Sequence, residues 1–515
     1  MKPYKILIFM SIVLVLLLIL ASVFPEKGLP LGKEYKLKFL TLNQILNPEK
    51  VEYADISALI NTPISDTLIT ESIPTDSIDP YSHAIDTMLT QEMRALLHRL
   101  QFPANDRSVL YPFLIQLRKL QTDKKLIRII HYGDSQLEGD RITSYIRYRL
   151  QSKFGGGGSG MLAVKDIVHT ASVHRDVSNN WKRYTVFGRR DTNVIGNVYG
   201  PMLSFSRFAP FEKDSIQNDS IDYESWIKLS PSNLTYALTR NYTQFKLLYN
   251  NNKSGVSIKL EDKEGEIIIK DSLPPTTSVK YLSWDIADNT KPLFIRMKGK
   301  DSPDIYAMSL DKTHGIIVDN VAMRGSSGVD FNRTSLSALS RFFKEMNVKL
   351  LLLEYGVNVV PNVLEDYGFY ENWFYKNLKS LKKLDPDLCI IVIGISDMSR
   401  KREVGDGYES YPNIEKIRNA QKNAAFRSGC AFWDMFEAMG GKNSMPSWVM
   451  AEPSLAQKDF THFNPAGARI IGEMFYDALI TEYDDYVRQH PEQTKTKVQT
   501  DSLNNKKVQK IEIKN

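Results

Sequence analysis

Three strand-length runs set the frame of this chain: Leu126-Ile-Arg-Ile-Ile-His-Tyr132, Lys349-Leu-Leu-Leu-Leu-Glu354 and Leu388-Cys-Ile-Ile-Val-Ile393. Each is apolar at nearly every position, so each needs cover on both faces. Gly315 to Val321 and Ala431-Phe-Trp433 read as further strands. Between and after them, Leu336 to Met346, Trp373 to Leu384, Ile414 to Arg427 and Ala466 to Tyr486 have helical spacing. Buried strands alternating with helices predict a parallel sheet with helices on both sides.

The alternation is interrupted. A first strand–turn–helix unit, with Ile142, Ile146 and Leu150 one turn apart, ends in the glycine run Gly155 to Gly158 followed by Ser159-Gly160. Short alternating runs follow, such as Phe245 to Tyr249, Val256 to Leu260, Ile267 to Ile269, Val279 to Trp284 and Leu293 to Met297, separated by turn clusters. That texture predicts an inserted β-sandwich over residues 166–310. It splits the α/β domain into residues 91–165 and 311–487. The glycine run lacks the Lys-Ser/Thr of a phosphate-binding loop and reads as a hinge into the insert.

Residues Ile6 to Phe24 are apolar except for Ser11 and Ser22, close to the ~20 residues that span a bilayer. Lys2 and Lys5 precede this run, so residues 1–25 read as an uncleaved signal anchor that leaves the rest outside the cytoplasm. Residues 26–90, rich in Pro, Ser, Thr and Asp, read as a stalk, and 488–515 as a disordered basic tail. The net charge of +6 is small for 515 residues, and half of it comes from residues 489–515, which argues against a nucleic-acid-binding surface. Two cysteines exclude a disulfide framework and a Cys-rich zinc site.

In open parallel sheets the carboxyl ends of the strands hold the ligand. Reactive groups gather there. Ser135 follows the first strand in Gly133-Asp134-Ser135, and Arg324-Gly-Ser-Ser-Gly328 follows the second. Tyr355-Gly-Val-Asn358 follows the third, and Asp459-Phe-Thr-His462 precedes the last helix. A serine hydroxyl needs a base, which His462 can supply. Asp459, three residues earlier, can hold the other ring nitrogen. The backbone N–H groups of Ser135 and of Gly328 (or Gly325), with the Asn358 amide, can face a developing oxyanion. Ser135 would also sit at a helix N-terminus, where the dipole favours negative charge.

The order Gly-Asp-Ser, Gly, Gly-x-Asn, Asp-x-x-His resembles the four blocks of the SGNH (GDSL-type) esterases and acylhydrolases. One departure is Val359 where that family usually has Asp after the asparagine. The resemblance implies a flavodoxin-like three-layer fold. It also implies the triad Ser135, His462 and Asp459, an oxyanion hole of Ser135, Gly328 and Asn358, and no metal or organic cofactor. His131-Tyr-Gly-Asp-Ser-Gln-Leu-Glu-Gly-Asp140, with the glycine run and the β-rich insert, looks like the bacterial peptidoglycan O-acetylesterase branch. In that branch the insert resembles a carbohydrate-binding module. The implied substrate is an acetylated polysaccharide or peptidoglycan, and the implied site is the outer face of the inner membrane. Related exported proteins act beside a membrane-bound O-acyltransferase. The same triad could pass the acetyl group to a sugar hydroxyl, making the protein an O-acetyltransferase. A polysaccharide-binding scaffold without catalysis is the third reading.

Other conspicuous residues have plainer readings. His131 lies in a strand, and Asp134 reads as a turn-capping group. Asp397 reads as a loop cap, Cys389 and Cys430 as core thiols, and Trp226, Tyr249 and Trp284 mostly as core of the insert.

Overall fold

The computed structural model describes residues 3–25, 28–31, 35–37, 39–46, 51–60, 99–211, 221–403 and 405–491. The Pro/Ser/Thr-rich stretch 61–82, the beginning of the helical spacing that runs from Ile85 to Gln121, and the basic tail beyond 491 lie outside these.

Helix α1 (Pro3–Val23) is apolar on all sides and long enough to cross a membrane. The stretch expected as stalk is in part docked. Ile56 and Leu59 are buried in the α/β core, and Ala54 is held by Asn443 O at 3.3 Å and Ser447 Oγ at 2.7 Å.

The α/β part runs α2 (Tyr111–Lys119), β1 (Leu126–Gly133), α3 (Thr143–Phe154), β2 (Gly315–Ala322), α4 (Leu336–Glu345), β3 (Val348–Glu354), α5 (Gly368–Lys382), β4 (Cys389–Ile393), α6 (Ile414–Arg427), β5 (Ala431–Trp433) and α7 (Pro465–Gln489). The five strands form one parallel sheet in the order β2-β1-β3-β4-β5. Alternate side chains feed two cores. Ile130, Tyr132, Leu351, Leu353 and Val392 meet α4, α5 and α6, whereas Ile127, Ile129, Leu350, Leu352 and Ile391 meet α2, α3 and α7. The apolar runs are therefore continuous because both faces are covered. The order 2-1-3-4-5 puts its switch point between β1 and β3, where a doubly wound sheet opens a crevice.

Between α3 and β2 the chain builds two antiparallel sheets of five and six strands. Ile227, Ile258 and Ile295 of one sheet share a core with Phe245, Leu247 and Met308 of the other. Strand Asp304–Asp311 is buried along its whole length because its other face packs on the α/β part, where the Tyr306 ring lies 4.9 Å from Phe342. The junction also holds a buried charge cluster. Arg128 of β1 donates to Asp319 and to Asp311, each at 2.6 Å. Removing one partner of such a buried cluster typically costs ~3–5 kcal/mol.

The glycine run expected as a hinge is instead a tight crossing. A Cβ on Gly156 would sit 2.4 Å from Ile316 O, on Gly157 2.1 Å from Asn241 O, and on Gly158 2.0 Å from Leu310 O. Only glycine lets the chain pass between those backbones. The β-rich region accordingly starts at Gly160, paired with Leu310.

Candidate active site

β1 ends at Gly133, where a side chain would strike Glu354 O of β3 at 2.6 Å. This close approach delivers the next two residues to the crevice. Asp134 is buried and works as a brace. Its Oδ1 accepts Gln136 N–H at 3.0 Å, and its Oδ2 accepts Gly356 N–H at 3.1 Å. One carboxylate thus joins the Ser135 turn to the Asn358 loop. Burial raises the Asp134 pKa to about 7, against the pull of those N–H groups, with nearby Glu354 adding to the rise.

Ser135 opens a 3-10 turn, Ser135–Asp140, and the α-helix starts only at Thr143. Gly139 and Asp140, both at positive φ, break the chain between them. The expected helix N-terminus at Ser135 is therefore absent. Its N–H, with no acceptor within the turn, makes no hydrogen bond to another described residue.

The structure brings Ser135, His462 and Asp459 together across 327 positions of sequence. Ser135 Oγ lies 2.8 Å from His462 Nε2, and His462 Nδ1 lies 2.7 Å from Asp459 Oδ2. Asp459 Oδ1 also accepts the N–H groups of Thr461 and His462, each at 3.0 Å, which fixes the carboxylate relative to the ring. Burial opposes ionisation of Asp459, but the His462 and backbone hydrogen bonds hold its carboxyl below the usual range. Donation from Nδ1 to that carboxylate leaves Nε2 free to accept the serine proton.

The oxyanion candidates separate. Asn358 is exposed, and its Nδ2 donates to Ser326 O at 3.0 Å. That bond orients the amide and leaves its second N–H available. Gly328 N–H is taken by Ser326 Oγ at 3.1 Å, and a side chain at Gly328 would strike the Tyr355 ring at 2.6 Å. The Gly328 N–H read as an oxyanion donor is thus engaged by a neighbouring hydroxyl, which brings forward the alternative, Gly325. Gly325, at φ +83°, has an N–H that makes no hydrogen bond to another described residue. It follows Arg324, which binds Glu138 of the serine turn through two 2.6 Å contacts.

Two groups that spacing did not single out lock the halves of the triad together. Gln136 Nε2 donates to Thr461 O at 2.7 Å, and its Oε1 accepts Phe463 N–H at 3.4 Å. Arg141 donates to Ser135 O, Glu138 O and Phe463 O, each at 2.8 Å. The only sequence signal for either is a polar side chain just after the serine.

His131 is buried between Glu354, 3.1 Å away, and Thr143, 3.0 Å away, and does not reach Ser135 Oγ. Asp397 accepts Met445 N–H at 2.8 Å as a loop cap. Cys389 and Cys430 are buried free thiols. Tyr249 and Trp284 are buried, whereas Trp226 is partly exposed.

No family model matches the chain, and no curated protein matches it. Among solved structures, the chain is similar to a peptidoglycan O-acetylesterase, at 19% identity and a TM-score of 0.56, covering 73% of this chain and 96% of that one. An acetyl xylan esterase (14% identity, TM-score 0.25, 32% and 81% covered) and a family two carbohydrate esterase from Cellvibrio japonicus (7%, 0.23, 61% and 98%) overlap too little to bear on the fold.

Proposed function

We propose that this chain, an SGNH/GDSL-type hydrolase in its fold and in the residues at its strand ends, is a serine esterase that removes O-acetyl groups from a cell-wall or extracellular polysaccharide. The observation that carries this reading is the unbroken Asp459–His462–Ser135 relay, at 2.7 Å and 2.8 Å, opening beside unpaired N–H groups. In this reading Ser135 Oγ bonds to the acetyl carbonyl carbon as its proton passes to His462 Nε2. The oxyanion receives hydrogen bonds from Ser135 N–H, Gly325 N–H and the free N–H of Asn358. One such donor is worth ~3–4 kcal/mol of barrier. Collapse expels the sugar oxygen, which takes the proton back from His462. Water then attacks the acetyl-serine by the same route, and acetate leaves. The scheme uses only this chain's own groups.

The polysaccharide substrate is supported by the fold shared with the peptidoglycan O-acetylesterase. The matched 73% exceeds the share held by the two α/β segments, so the likeness extends into the β-rich region. We read that region as an inserted β-sandwich domain that presents the polymer to the cleft. Helix α1 is read as the anchor of a single-pass protein whose active face lies outside the cytoplasm.

The test is acetate release from O-acetylated peptidoglycan by the full chain in detergent, beside Ser135→Ala. Release that falls by about a thousandfold or more in the variant supports the reading. Equal release by the two proteins, or none by the wild type on any acetyl ester, overturns it.

A further inference from the structure

One loop of the β-rich region carries two cations that no acid among the described residues pairs with. Between strands Lys182–Thr185 and Ser204–Arg207 the β-rich region sends out a loop whose tip reads Phe187-Gly188-Arg189-Arg190. The tip is fixed against the α/β part. The Phe187 ring covers Gly325, where a Cβ would lie 3.0 Å from the ring edge. Arg333 Nη2 donates to Gly188 O at 2.7 Å. Farther along the loop, Asn197 O accepts Ser335 N–H at 2.8 Å and Thr334 Oγ1 at 3.1 Å. Gly325 directly follows Arg324, which binds Glu138 of the serine turn, so the tip packs one residue away from a contact with that turn.

Arg189 and Arg190 are both exposed, no hydrogen bond or ion pair joins either to another described residue, and the charge of Arg190 lies close enough to act on the Tyr199 hydroxyl. The acids nearby are occupied. Asp191 binds Lys182 at 3.3 Å and accepts Asn193 N–H at 3.0 Å. Asp330 binds Arg333 at 3.3 Å and accepts Ser326 Oγ–H at 2.8 Å. Among the described residues, two guanidinium groups are thus left without an acidic partner on a tip that packs against Gly325 and Arg333. A guanidinium presents a planar fork of donors that matches a carboxylate.

We propose that Arg189 and Arg190 form a carboxylate-binding subsite that selects an anionic polysaccharide, gripping an acidic sugar next to the unit whose acetyl ester faces Ser135. This rests on the esterase reading and narrows its substrate class. It divides labour between the two parts of the protein. The α/β part does the chemistry, and the loop from the β-rich region reads the polymer's charge. Hydrogen bonds to charged groups are worth ~1.5–3 kcal/mol each, which is about 10- to 100-fold in kcat/KM for one engaged pair.

The experiment compares the full chain in detergent with the double variants Arg189→Ala/Arg190→Ala and Arg189→Lys/Arg190→Lys. The substrates are O-acetylated polygalacturonate, neutral O-acetylated glucomannan and para-nitrophenyl acetate. The alanine pair is expected to lose about 10- to 100-fold in kcat/KM on the polyuronate, mainly through KM, and to match the wild type on the other two. The lysine pair recovers part of the loss, and added salt narrows the gap. An equal loss on both polymers, or no loss on the polyuronate, overturns the subsite. In that case wild-type turnover of para-nitrophenyl acetate shows that the esterase reading still stands. A wild type inert on all three esters refutes the esterase reading and the subsite with it.

Discussion

Arg141 is the sharpest point at which to perturb the site without touching a reacting group. Its guanidinium donates at 2.8 Å to the carbonyls of Ser135, Glu138 and Phe463, so one side chain fixes the serine turn to the residue that follows His462. Arg141→Lys keeps the charge but replaces a planar fork with a point donor, which can reach one of these carbonyls. Two charge-assisted bonds are lost. At ~1.5–3 kcal/mol each they would sum to several kcal/mol, but Arg141 is only half-buried and water replaces part of them, leaving about 2–4 kcal/mol. Part of that appears as a lower melting temperature and part as a looser alignment of Ser135 Oγ with His462 Nε2. The expected result is a fall in kcat of about 10- to 100-fold on para-nitrophenyl acetate, with KM changed less than about threefold and a melting temperature a few degrees lower. A variant with a lower melting temperature but kcat within about twofold of wild type would refute the clamp, because alignment would then not depend on it.

Three further predictions follow from the same geometry. Asp459→Asn removes the charge that stabilises the His462 imidazolium and is expected to cut kcat by about 10²- to 10⁴-fold with little change in KM, read on the same ester. Gly325→Ala forces a side chain at φ +83° against Phe187 beside the oxyanion and should lower kcat, whereas Gly328→Ala meets the Tyr355 and Phe374 rings and should lower the melting temperature first; equal behaviour of the two would undo their separation. Asp134 has a folded pKa raised to about 7, so the folded state holds a proton that the unfolded chain releases near its ordinary value of 3.8. Stability from this group is full at acid pH and is lost as pH rises towards 7; denaturant titrations should show that slope in wild type, and Asp134→Asn should flatten it.

Much of this architecture was legible in local pattern. Residues such as Leu350 to Leu353 are apolar at every position because successive side chains enter different cores, and that doubly buried pattern implies a parallel sheet before any coordinates. Ser135 and Asn358 could be picked out because strand ends are where such a sheet exposes functional groups, and Asp459 and His462 as an Asp-x-x-His pair just before the last helix. The features that stayed hidden depend on contacts between distant segments. The glycine run suggested freedom, yet Gly156, Gly157 and Gly158 are glycines because three other backbones press on them. The choice between Gly325 and Gly328 turns on one hydroxyl, Ser326 Oγ, which no spacing rule assigns. Gln136 and Arg141 bind main-chain carbonyls near His462, and carbonyls carry no sequence signature. The docking of Ile56 and Leu59 was masked by a surrounding stretch with a linker's composition.

The most direct trial of the account is covalent labelling of the folded chain with a small serine-reactive phosphonate ester, followed by peptide mapping. The geometry predicts one adduct per chain, on Ser135, and none in His462→Ala. Labelling of a different residue, or undiminished labelling of Ser135 without His462, would contradict the claim that these two groups act as nucleophile and base.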